Sequence, residues 1–382
     1  MDNSLHRLAG LVRQAARPLD GGSSDYDELI AAAADARLVL IGEASHGTHE
    51  FYHERARITA RLIDEHGFSA VAAEADWPDA YRVNCFVRSR GSDASPDDAL
   101  GDFRRFPTWM WRNSVTRDFV DWLRRRNQAQ PEERRAGFYG LDLYSLSASI
   151  EAVLGYLDKV DPAEARRARG RYACFEHYRA DPALYGYAVR TGATDPCEDE
   201  AVAQLVELQR RAGQLPGGAP DNEAHFVAEM NARLARDAEA YYREMYRGQN
   251  SAWNLRDTHM ADTLDALLRH LDAQVGRAKI VVWAHNSHLG DARATEMGAG
   301  GELNLGQLAR ERHGAAVLLV GFSTYHGTVM AAQDWDMPGE RRRVRPGLPG
   351  SYEDLFHMAS AERPAAPRFL RDQRADGPTK QR

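Results

Sequence analysis

The sequence predicts an α/β fold, a core with a mainly parallel β-sheet flanked by helices and interrupted by a helical insertion. The first observation behind this is the stretch Arg37–Pro78. An apolar run ending at Gly42, a helically spaced segment over Thr48–His66 and a second apolar run over Phe68–Glu74 follow one another there. Strand, helix, strand in that order is the parallel crossover unit. The second is the run Lys279–Ala284, KIVVWA, apolar in succession as expected of a strand buried on both faces. The third is the span 145–276, which keeps helical spacing throughout.

In chain order, Leu5, Leu8, Leu11 and Val12 fall on one face of an N-terminal surface helix, and Asp25–Ala34 is a short helix leading into the first strand. After Glu74, Trp77–Arg88 returns to helical spacing until SDASP at 92–96 breaks it. The segment Phe103–Asn113, FRRFPTWMWRN, crowds aromatics together, and Trp109 and Trp111 suit either core packing or an apolar wall for a bulky substrate. Phe119–Arg126 continues as an amphipathic helix. Gly137–Asp142 is a third strand, with Asp142 expected to cap the helix that follows.

The helical span breaks near 192–196 and again at 213–220, before one long helix over Asn222–Tyr246 and another over Ser251–Leu268. Lys279–Ala284 and Ala315–Phe322 supply a fourth and fifth strand, and Thr328–Ala331 a short sixth. From about Glu362 the chain is rich in Pro, Arg and Asp with little to bury, so a disordered tail is expected. The reading is therefore a catalytic core over 1–144 and 277–360, a helical lobe over 145–276, and a tail over 361–382.

Composition narrows the function classes. A chain of 382 residues can bury a sizeable core, and its formal net charge of −7 argues against a general nucleic-acid binder. Cys85, Cys174 and Cys197 cannot all pair and lack metal-ligand spacing, so no disulfide framework is expected and a reducing, cytoplasmic setting is. No run approaches membrane-spanning length. There is no G-x-S-x-G elbow and no phosphate-cradling glycine loop after a strand.

One regular pattern does occur, the zinc-protease spacing His49-Glu50-Phe51-Tyr52-His53. It lies in the first turns of a helix, where the dipole disfavours a dication, and no third ligand follows on a later helix. A stronger constellation uses other residues. Glu43 and His46 follow the first strand, Glu74 ends the second, and His285 and His288 follow the fourth. Parallel strands bring those ends to one edge, where ligands bind. Two carboxylates and three imidazoles there can orient one histidine and raise its basicity, leaving it able to take a proton from water. Its pKa is expected above the ordinary value, because carboxylate neighbours favour imidazolium.

The motifs GEASHGTHEFY, VAAEADWP, FPTWMWRN, FYGLDLYSL, SAWNLRDTHM, VVWAHNSHLGD and RPGLPGSYEDLFH resemble the erythromycin esterase family, hydrolases that open macrolide lactone rings. The resemblance runs from about residue 37 to about 356. It implies a three-layer core with the helical lobe over a broad cleft. It further implies His46 as general base supported by Glu43 and Glu74, with Arg55, His285 and His288 lining the site and stabilising the oxyanion. Beyond SYEDLFH the chain departs from the family, closing on APRFLRDQRADGPTKQR, and edge strands of the sheet are expected to be missing. The expected partner is a small-molecule ester, a macrolide in first place, with no nucleic acid and no membrane. No cofactor is assigned, although the residue types at the edge also suit a divalent metal such as zinc or manganese. The competing reading is a metal- or haem-binding protein of the same fold without esterase activity.

Overall fold

The computed structural model describes residues 3–212, 221–360 and 368–370. Nine strands are present among them: β1 (Arg17–Leu19), β2 (Leu38–Ile41), β3 (Ala70–Asp76), β4 (Gly137–Asp142), β5 (Ile280–Trp283), β6 (Val317–Val320), β7 (Gly327–Ala331), β8 (Glu340–Val344) and β9 (Arg368–Leu370). Five form the central sheet in the order β4-β3-β5-β2-β6, every neighbour parallel. All residues of β2, β3, β4 and β5 are buried, which explains why these strands read as continuous apolar runs.

Alternation along each strand divides the core into two halves. Leu38, Leu40, Ala70, Ala72, Tyr139, Ile280 and Val282 face one hydrophobic cluster, shared with the helices that run between β4 and β5. Val39, Ile41, Val71, Ala73, Phe138, Val281 and Trp283 face the other, shared with the helices His49–His66, Trp77–Val87 and Ser114–Gln128. Helices on both faces of one sheet make the three layers. Between β4 and β5 the described helices are Leu146–Val160, Pro162–Tyr172, Pro182–Arg190, Glu198–Ala212, Asp221–Glu244 and Gln249–Val275. The break expected at 213–220 lies outside the described residues.

Several expectations are corrected. The short sixth strand exists but does not extend the sheet: β7 pairs antiparallel with β8 in a separate hairpin. In the tail, Arg368–Leu370 pairs antiparallel with Arg17–Leu19, and the rest of 361–382 lies outside the described residues. Cys174 and Cys197 form a disulfide, leaving Cys85 free. Sequence spacing alone could not pair them, because what joins them is the helical packing between. Asp142 does not cap the next helix, whose N-cap is Ser145. No helix among the described residues is long and apolar enough to cross a membrane.

Two features aim the sheet's carboxyl edge. Strand β5 inserts between β2 and β3, so the loops leaving these three strands lie side by side. Strand β3 also shifts register against β4 between Ala73 and Asp76, where Glu74 sits. Gly140 permits that irregularity, since a Cβ there would stand 2.4 Å from the Ala75 carbonyl oxygen and 2.6 Å from that of Asp76. Backbone cannot yield cheaply. Gly140→Ala is therefore expected to lower the unfolding free energy by about 1–3 kcal/mol, measured by denaturant unfolding, whereas Gly155→Ala, with open space at its Cβ, should not.

Candidate active site

The loop after β2 carries the first half of the site. Its departure is fixed by Gly42, where a Cβ would meet the Asn286 side chain at 2.1 Å, and by the Asn286 N–H donating to the Glu43 carbonyl at 2.8 Å. Glu43 is fully buried, and its Oε1 lies 2.9 Å from His46 Nδ1. Tyr52, on the first turn of the 49–66 helix, reaches the same loop, with its hydroxyl 3.0 Å from the His46 carbonyl and 3.3 Å from Glu43 Oε1. A carboxylate on Nδ1 sets the tautomer and leaves Nε2 as the basic nitrogen of a ring still 33% exposed. Burial lowers the His46 pKa, but the Glu43 hydrogen bond and the charges of Glu74 and Glu43 outweigh it, so the net shift is upward.

Arg55 lies beneath this pair. It is fully buried, with Nη2 3.5 Å from Glu43 Oε2, and its guanidinium carbon stands 4.6, 5.7 and 4.8 Å from the ring centres of Tyr52, Trp111 and Trp283. Among the described residues none of its nitrogens has a hydrogen-bond partner. Ring faces take the place of hydrogen-bond acceptors here, and the cation supplies the counter-charge that a buried carboxylate requires. The expectation that Arg55 lines the cleft is corrected by this burial: a guanidinium with no exposed surface does not meet a substrate oxygen.

Glu74 organises the second half. Its Oε2 accepts the His285 backbone N–H at 2.8 Å, and its Oε1 accepts from Arg256 Nη2 at 2.8 Å. Arg256, from the 249–275 helix, also forks onto Asp142 at 2.9 and 2.7 Å. Burial works against ionisation of Glu74, yet His288, Arg256 and His46 hold it well below the usual carboxylate range. His288 is itself buried, with Nδ1 2.9 Å from Asp257 and its ring stacked 4.5 Å from Trp253. Its Nε2 lies 2.9 Å from Arg256 Nη1 and 3.3 Å from Glu74 Oε1. The first contact suits a neutral ring and the second an imidazolium. Burial disfavours the charge, but Glu74 and Asp257 prevail over Arg256 and push His288 up to about 9.

His285 is the counterpart of His46, the ring centres standing 5.2 Å apart at 56°. Its Nδ1 accepts the Ser287 backbone N–H at 3.2 Å, so a neutral His285 carries its proton on Nε2. Burial and then the charge of His46 lower its pKa. One ring is thus made more basic and the other kept neutral. A small recess lined by Asp76, Asp79, Arg105, Phe106 and Trp111 adjoins this arrangement through Trp111, whose indole N–H donates to the Glu74 carbonyl at 3.2 Å.

The sequence pattern described as erythromycin esterase matches residues 63–381 of the chain. The chain belongs to the erythromycin esterase family. An Escherichia coli erythromycin esterase type II is 22% identical over 333 residues, which is 82% of this chain and 74% of that one. A type I enzyme from the same organism is 22% identical over 315 residues, 76% and 70% of the two chains. Among solved structures, a Bacillus cereus protein superposes with a TM-score of 0.76 at 20% identity, over 93% of this chain and 83% of that one. A succinoglycan biosynthesis protein gives 0.71 at 18% identity over 94% and 85%. A mutant of the erythromycin esterase EreC in its open conformation gives 0.62 at 18% identity over 85% and 79%. At such identities the structural likeness speaks for the fold.

Of the residues predicted from sequence, the erythromycin esterase fold gathers Glu43 with His46, and Glu74 with His285 and His288, the two groups meeting at the His46 and His285 rings. His49 and His53 are exposed on the helix surface, stacked on each other at 6.0 Å, and do not enter the site. Among the described residues no group of three or more His, Cys, Asp or Glu side chains gathers as a metal site. Sequence reasoning missed Arg256, Asp257 and Tyr52 and misjudged Asp142. The available signal was SAWNLRDTHM, where an adjacent Arg and Asp interrupt a helix long enough to be packed on the core.

The raised pKa of His288 has a stability consequence. A group shifted from 6.5 to about 9 on folding contributes stability that is fully present below pH 6.5 and is lost as pH rises through 9. Denaturant unfolding of the wild type is expected to show a decline on the order of 3 kcal/mol over that window. His288→Gln should flatten the decline, and an equal slope in the variant would remove His288 as its source.

Proposed function

We propose that the protein hydrolyses a carboxylic ester, with macrolactones as the leading substrate class, through direct attack by a water that His46 deprotonates. The observation that carries the reading is the opposed pair of rings, His46 made basic by Glu43 and Glu74, and His285 kept neutral with a proton on Nε2. His46 Nε2 takes a proton as the water oxygen bonds to the acyl carbon. The carbonyl oxygen becomes an oxyanion and accepts a hydrogen bond from His285 Nε2–H. Collapse breaks the acyl–oxygen bond, and His46 returns its proton to the departing alkoxide. Family membership supports ester hydrolysis, and the names of the Escherichia coli relatives make a macrolide the first substrate to test.

In this scheme Glu43 orients and polarises His46, and Arg55 fixes Glu43 from behind. His288 acts on Glu74 and touches no substrate. Pairs of groups whose surroundings drive their pKa values apart are the usual sign of separated base and donor roles. The reading needs no covalent intermediate.

Erythromycin incubated with the protein is expected to gain one water by mass spectrometry, and His46→Ala to lower that rate about a hundredfold or more. Because His46 must be neutral to act, activity should rise with pH through a pKa above 6.5 and fall in mild acid. Glu43→Gln or Glu74→Gln should move the rising limb to lower pH and lower its plateau. An unmoved limb in both variants would exclude His46 as the base. Activity lost to a chelator and restored by added metal would replace histidine-activated water by metal-bound water.

A further inference from the structure

The hairpin β7–β8 stands outside the sheet, yet it is fitted closely to the loop that carries His46. Met330 N–H donates to the Gly47 carbonyl at 2.9 Å, and a Cβ on Gly47 would lie 2.0 Å from the Met330 oxygen. On the other strand's approach, a Cβ on Gly339 would meet the Trp109 ring at 2.9 Å and Met330 Sδ at 3.0 Å. Both contacts thus require glycine. The connection between the strands carries Trp335, whose ring centre is 4.8 Å from that of Phe106, and Phe106 stands 5.3 Å from Trp109. Phe106 also lines the recess that shares Trp111 with the Glu74 backbone.

Aromatic rings therefore continue from that recess onto the hairpin. Trp335 is 66% exposed, Met337 51% and Met330 39%. Such surface contributes little to folding, since most of its area remains in water. Apolar surface continuous with a reacting centre is where the apolar part of a ligand gains by leaving water.

We propose that Trp335, with Phe106 and Trp109, forms a ledge on which the apolar ring or chain of the ester substrate lies, so that the β7–β8 hairpin sets the preference for bulky over small esters. This rests on the ester-hydrolase reading above. The occupant is the substrate because the ledge borders the recess whose Trp111 meets the Glu74 backbone, and it is tied to the His46 loop through Gly47. Trp335 is a specificity-determining residue here. It bears on substrate binding and has no part in proton transfer.

The test compares erythromycin with p-nitrophenyl acetate. Trp335→Ala is expected to raise KM for erythromycin about tenfold with kcat within twofold, to leave both constants for the acetate unchanged, and to leave the thermal midpoint unchanged because the side chain is exposed. Trp335→Phe should restore most of the affinity. Calorimetric titration of erythromycin into His46→Ala and into His46→Ala/Trp335→Ala reads the same difference without turnover, so a failure of the hydrolase reading is distinguishable from a failure of the ledge. Equal affinity in those two proteins, no erythromycin binding by either, or a changed oligomeric state in Trp335→Ala with KM unaltered would overturn the proposal.

Discussion

The ion pair between Glu74 and Arg256, 2.8 Å long and almost wholly buried, is the constraint on which the rest of the site depends. Arg256 is the shared cation of Glu74 and Asp142, so it ties the ends of β3 and β4 to the 249–275 helix. Glu74 uses its other oxygen to hold the backbone at His285, tying in the end of β5. Asp142 with Glu74 holds Arg256, while Glu74 with Asp257 raises the pKa of the His288 ring. A network of this kind adds little to net stability against an apolar alternative, yet removing one member leaves an uncompensated buried charge. What it contributes is position.

That position sets the electrostatics of the reacting groups. Glu74 lies close enough to raise the pKa of His46, and Arg256 is the charge that opposes it. Burial keeps His285 neutral, and a basic His46 beside it reinforces that. The aromatic cage around Arg55 works from the opposite side, giving Glu43 a counter-charge that water and substrate do not reach. Base and hydrogen-bond donor are thereby separated between two like residues by their surroundings.

Much of this was legible in the chain because parallel sheets put their polar residues at strand ends. Glu43, His46, Glu74 and His285 each follow an apolar run, and the run's end is visible in sequence. Arg256 stood inside a noticed motif, SAWNLRDTHM, but its role was not read, since an arginine in a helix reads as solvated until the packing of that helix is known. The histidines at 49 and 53 were set aside from sequence on the helix dipole and the missing third ligand, and the structure adds what spacing leaves open, namely which way their shared helix face points. Arg55 emerged from family resemblance with its burial unread. The pairing of β7 with β8, and of Cys174 with Cys197, depends on contacts between segments that local propensity does not specify.

The most direct measurement of the central claim is a double-mutant cycle on the buried pair, with Glu74→Gln, Arg256→Met and the double variant compared by denaturant unfolding at neutral pH. The account predicts that each single change is strongly destabilising and that the two couple by about 1–3 kcal/mol, because the second removal relieves a charge left unpaired by the first. Single losses that add to within about 0.5 kcal/mol would contradict it.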